Sequence, residues 1–184
     1  MSGNYVGQDP AITTVTPPPV PIIFPPPVTL GTPVPSTSGT AIDFTGIPAG
    51  VKMIIVSLVN VGSNGTSNFL LQIGDAGGIE NSGYFSTASQ IGGANAVSNS
   101  VAGFILLVSQ AATLNQSGRI VLNLENAATF SWVFSGMLVR TGDFFGTASA
   151  GAKSLSAVLD RIRLTTVNGT DVFDSGEVNI AYLM

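Results

Sequence analysis

A chain of 184 residues has room for one well-formed core and an appendage. Only 9% of its residues are charged, the net charge is −4, and no basic side chain precedes Lys52, so there is no clustered basic face of the kind nucleic acid requires. Histidine and cysteine are absent, which removes His-based triads, the usual zinc sites and disulfides, and no catalytic, cofactor-binding or metal-binding residue is assigned.

Residues 1–36 read as an extended proline-rich arm, with ten of the eleven prolines falling there. Proline fixes φ and lacks an N–H, so neither a helix nor a central strand runs through this stretch, and polyproline II is the default. Fully extended, such an arm reaches on the order of 100 Å. Its apolar residues Val20, Ile22, Ile23, Phe24, Val28 and Leu30 are interleaved with the prolines, and Asp9 is its only charge. Solvated linkers are usually polar or charged, so these six residues are assigned to anchoring the chain on a protein surface. No basic segment followed by an apolar core opens the chain, and the most apolar run, Ala102 to Val108, is too short to cross a bilayer. Neither secretion nor membrane insertion is expected.

Residues 37–184 carry strand signals. Ala41 to Thr45 alternates, with Ile42 and Phe44 on one face, and a GIPAG turn follows. Val51 to Val61 is nearly all apolar and rich in Val and Ile, the pattern of a strand covered on both sides. After a Ser63-Asn64-Gly65-Thr66 turn, Phe69, Leu71 and Ile73 alternate with polar residues to complete a hairpin. Residues 75–101 are mostly Gly, Ser, Asn and Ala and read as a long connection, functional or holding short edge strands. Ala102 to Val108 reads as a buried strand and Ile120, Leu122 and Leu124 mark another. Phe130, Trp132, Phe134 and Leu138 share one face and are expected at the centre of the core. A second irregular stretch, TGDFFGTASAGAKSLSAVL, is expected to hold a short helix over Ala152 to Leu159. Alternation returns at Arg161 to Leu164 and at Val178, Ile180 and Tyr182. The fold class expected is all-β: a jelly-roll-type β-sandwich of about eight strands over 37–184, preceded by the arm.

Three polar or aromatic groups are candidate sites. Asp171, Asp174 and Glu177 recur every third residue like oxygen ligands for calcium, but they lack the spacing of a known calcium loop, and turn residues between strands account for them. Asp75 and Glu80 are a pair of carboxylates such as a glycosidase uses, with nothing in the sequence to set their separation. Tyr84, Phe85, Phe144 and Phe145 stand among small residues, as a subunit interface, a local core or a stacking surface for a host glycan would require.

The C-terminal segment DRIRLTTVNGTDVFDSGEVNIAYLM, together with SGTAIDFTGIPAGVKMIIVSLVNVGSNGTSNFLLQIGD upstream, resembles the small β-structured tail-fibre and tail virion proteins of tailed bacteriophages, over roughly residues 37–184. The resemblance implies a non-enzymatic structural virion protein at the tail, forming a homotrimer, joined through its arm to other phage structural proteins, and contacting the host surface through its long loops. A capsid decoration protein or head fibre, a glycan-binding adhesin module and a small depolymerase are the alternatives.

Overall fold

The computed structural model describes residues 28–93 and 95–184. The anchoring residues Val20, Ile22, Ile23 and Phe24 lie outside the described residues. The described chain is all-β and forms two antiparallel sheets.

Chain order begins with two short pieces, β1 (Thr29–Leu30) and β2 (Val34–Pro35). There follow β3 (Ala41–Thr45), β4 (Met53–Ser63), β5 (Phe69–Asp75) and β6 (Gly78–Ile79). Next come β7 (Phe85–Ile91), β8 (Val97–Ser100) and β9 (Phe104–Ile105). The chain closes with β10 (Gln116–Asn126), β11 (Ser131–Arg140), β12 (Gly146–Ser154), β13 (Leu159–Thr166) and β14 (Phe173–Leu183). The larger sheet runs β1-β14-β4-β10-β11-β12-β7-β8, with β2 also on β14; the smaller runs β3-β13-β5-β6, with β9 on β5.

The two sheets face each other across one core. Ile54, Val56, Leu58, Ile120 and Leu122 of the larger sheet meet Leu71, Ile73, Ile162 and Leu164 of the smaller. Trp132, Phe134 and Leu138 are buried as expected, and Phe134 stacks on Phe104 with ring centroids 4.6 Å apart. Phe130 is only partly buried, because it sits at positive φ (51°) in the turn between β10 and β11.

Several local expectations change. No helix forms over Ala152 to Leu159: Ala152 pairs with Val133 and Ser154 with Ser131, so sheet pairing overrides the helical propensity of this short run. The irregular stretches hold strands β7, β8 and β12, built mainly from Ser, Thr, Ala and Gly. Of the buried run near Ala102 to Val108, only Phe104 and Ile105 are strand. Their neighbours Leu106, Leu107 and Val108 are equally buried, with the Leu106 N–H donated to the Phe69 carbonyl at 3.0 Å.

Residues 29–36, read from the sequence as the end of the arm, run along β14. Gly31 N–H donates to Ile180 O (2.7 Å) and Ser36 N–H to Gly176 O (2.9 Å). Pro33 and Pro35 fit there because an edge strand donates only part of its N–H groups. Opposite them β14 bulges against β4, with register shifts between Phe173 and Ser175 and between Ser175 and Glu177. Gly176 has φ +84°, and a Cβ on it would meet the Asn60 carbonyl oxygen at 2.3 Å. Only glycine fits this approach.

Candidate interaction surface

The outward face of the larger sheet follows from its register. Cross-strand pairing lines up Ala181, Ile55, Val121, Ser135, Ala150 and Thr87 in one row. The next row places Met53, Asn123, Val133, Ala152 and Phe85 side by side. On the other side lie Ser57, Arg119, Met137, Ala148, Ser89 and Val97. From β11 across to β8, every outward side chain is uncharged, and outward charges begin at β10 with Arg119 and Glu125. Met137 is 60% exposed, Val97 67% and Phe85 82%.

This face explains an expectation that the single chain does not meet. The Val51 to Val61 run has the composition of a strand covered on both sides, yet only Ile54, Val56, Leu58 and Val61 of β4 reach the core face. Met53 and Ile55 are half-buried and Val59 is 54% exposed. At about 4.8 Å spacing and about 3.3 Å per residue over about eight residues, the four uncharged strands from β11 to β8 make a face on the order of 500 Å², and β10 and β4 extend it to about 750 Å². A stable protein interface takes about 800 Å² from each partner. Exposed apolar side chains such as Phe85, Val97, Val133, Met137 and Val139, grouped on one uncharged face of a lone chain, mark an interaction site.

The four aromatic candidates do not form one patch. Tyr84 is buried against Phe104, their rings meeting edge-on at 4.9 Å, and its hydroxyl accepts from Ile73 N–H at 2.8 Å. That same oxygen lies 2.8 Å from the Glu80 carbonyl and 3.1 Å from that of Ile73. Tyr84 is therefore a core residue, unable to contact a receptor, because its ring is covered and its hydroxyl is committed. Phe85 points the opposite way, onto the outward face. Phe144 is also 82% exposed, at φ +60° in the turn between β11 and β12. Phe145 folds back under Arg140, whose guanidinium lies 5.1 Å from its ring centre and clasps Asp143 through Nε and Nη2. Phe85 pairs with Ala152, whereas the turn carrying Phe144 and Phe145 adjoins Gly146 and Ile91, about 20 Å away at the other end of β7.

Asp75 and Glu80 converge on Ser156, whose hydroxyl lies 2.6 Å from Asp75 Oδ2 and 2.9 Å from Glu80 Oε1. Glu80 also pairs with Lys153 and accepts the Ser156 N–H at 2.7 Å. The Ser156 hydroxyl and the Gly77 N–H hold Asp75 below the usual carboxylate range. Burial pushes Glu80 up, but the hydrogen bonds from Lys153 and Ser156 outweigh it and leave it low. Both carboxylates are thus tied into one network that joins the β5–β6 turn to the β12–β13 loop. Sequence reasoning missed Ser156 and Lys153, whose roles depend on the β6 turn meeting the β12–β13 loop.

Asp171 is likewise occupied, accepting from Ser67 N–H (2.9 Å) and Asn168 Nδ2 (2.6 Å). Asn64 closes the same clasp from the β4–β5 turn, its Oδ1 accepting the Val172 N–H at 2.9 Å. No cluster of three or more metal-ligating acidic side chains occurs among the described residues. No family model, no curated protein and no solved structure matches this chain.

Proposed function

We propose that the chain is a self-associating structural subunit of a tailed-bacteriophage virion, a tail-fibre or tail-tip component that performs no chemical step. The observation that carries this reading is the uncharged outward face of the larger sheet, spanning β11 to β8 and continued by the half-buried Met53 and Ile55 of β4. Burying it against another copy would give β4 the two-sided cover that its composition calls for. The phage setting rests on the sequence resemblance over residues 37–184, which also implies a trimer. In a trimer this face packs on a different surface of its neighbour, and in a dimer on itself.

The arm is the tether to the rest of the particle in this reading. Its base is fixed by the pairing of β1 and β2 with β14, so a pull on the arm is resisted along a strand of the larger sheet. The glycan-binding alternative draws on Phe85 and Phe144, each 82% exposed and free to stack on a sugar ring. Cryo-electron microscopy of the intact particle tests the assignment. Density for several copies at the tail supports it, copies spread over the shell would make the chain a capsid decoration protein, and a particle without the chain would contradict both.

A further inference from the structure

A second apolar feature lies at one end of the sandwich. A cavity of about 190 Å³ opens there between the sheets, lined among others by Gly50, Leu124, Phe130, Trp132 and Val158. An apolar cavity of about 150 Å³ is enough for a benzene ring, so this one takes a single aromatic or branched aliphatic side chain. Trp132 is 3% exposed, and its Nε1–H finds no acceptor among the described residues. A buried donor without a partner costs about 1–3 kcal/mol. The cavity is thus apolar with one unpaired donor on a lining residue, a lining suited to an apolar side chain presented by a backbone with a free carbonyl.

The path of the chain leads there. Thr29 pairs with Tyr182 and Leu30 with Ala181, so Val28 stands at the tip of β14. At that tip Met184 Cε lies 3.7 Å from where a Gly50 Cβ would be, and Gly50 is on the cavity rim. The segment arriving from the N-terminal side is PPPVPIIFPPP, residues 17–27. At about 3.1 Å per residue, Phe24 reaches about 12 Å from Val28 and Val20 about 25 Å. Of the cavity lining, Leu124 on β10 lies three strands from β1 and Trp132 on β11 four, about 14–19 Å across the sheet. Polyproline II makes no internal hydrogen bonds, so its carbonyls are free, and aromatic-lined grooves are the usual receptors for such segments. No charged side chain occurs between Asp9 and Asp43, so no charge would be desolvated.

We propose that before assembly the Val20–Phe24 segment docks into this cavity of its own chain, placing one of Ile22, Ile23 or Phe24 in the cavity and a backbone carbonyl on Trp132 Nε1. The proposal depends on the tether reading only for its biological use, as a resting place for the arm. It is tested on the purified chain, so its failure would leave the particle assignment standing.

Trp132 is the only tryptophan, so intrinsic fluorescence reads the cavity directly. In the full chain, Ile22→Ser/Ile23→Ser/Phe24→Ser is expected to red-shift the emission and raise acrylamide quenching, while the body still unfolds in a single transition at a somewhat lower temperature. The shift should be independent of protein concentration. Identical emission and quenching in the two proteins would overturn the proposal, and a wild-type signal that red-shifts on dilution would overturn the intrachain docking by placing the segment in a neighbour's cavity. A second variant approaches from the other side. Ala127→Phe fills the cavity, and a protease that cuts before apolar residues should then cleave ahead of Ile22 and Ile23 faster than in wild type; equal rates would also overturn the proposal.

Discussion

Tyr84, just ahead of β7 of the larger sheet, is tied through its hydroxyl to Ile73 of the smaller. Its oxygen is the acceptor for the Ile73 N–H, so Tyr84→Phe leaves that buried donor unpaired. The expected loss is about 1–3 kcal/mol, read from the urea midpoint. Burial pushes the Tyr84 phenol upward, against the hydrogen bond from Ile73 and with the charge of Glu80. A group raised in the folded state adds stability that is full below its unfolded value, about 10 for tyrosine, and that fades as the pH climbs above it. Wild type should therefore lose stability above about pH 10, and Tyr84→Phe should flatten that decline. Asp75 has the opposite sign. Held low by Ser156 and Gly77, it adds stability above about pH 4 that is lost as the pH falls toward its folded value. Asp75→Asn should be less stable at neutral pH and show a shallower acid limb in melting temperature against pH.

At the scale of elements, the outcome depends on whether a strand's two faces differ in hydropathy. Strands β5, β10, β13 and β14 were legible because Ile, Leu, Val and Phe alternate with smaller or polar residues, and β4 because its Val and Ile run is nearly continuous. Strand β12 was not, since its inward residues Thr147 and Ser149 and its outward residues Ala148 and Ala150 differ too little to set a period. The same holds for β7, where buried Ser86 and Ala88 alternate with exposed Thr87 and Ser89. Small residues are needed there. At Gly151 a Cβ would meet the Phe85 carbonyl oxygen at 2.4 Å. Of the candidate sites, the sequence marked the aromatic residues but not their directions, because a one-residue step along a strand separates buried Tyr84 from exposed Phe85. The bulge at Gly176 belongs to the same scale. Gly176→Ala must leave its positive φ or displace the Asn60 carbonyl, and a destabilisation of about 1–3 kcal/mol by chemical denaturation is expected.

Taken as a whole molecule, the described chain places most of its few charges at turns, strand ends and the smaller sheet, where Arg163 pairs with Asp43 through two hydrogen bonds of 2.7 Å. Arg119 and Glu177 are the exceptions within strands of the larger sheet. The larger sheet keeps its outward side from β11 to β8 free of charge. The exposed Val, Met and Phe side chains on it are costly to leave in water, and with no charge to desolvate the face is inexpensive to cover with a second subunit. Ala150 lies near its middle and is exposed, so Ala150→Lys should alter the stability of the single chain by no more than about 0.5 kcal/mol. Buried in an assembled interface, the same lysine would be an unpaired charge.

Sedimentation velocity of the purified full chain beside Ala150→Lys, over a wide concentration range, tests the central claim most directly. A discrete oligomer for wild type and a folded monomer for the variant is the predicted result. Wild type sedimenting as a monomer throughout, or a variant that assembles as wild type does, would contradict the assignment of this face to self-association.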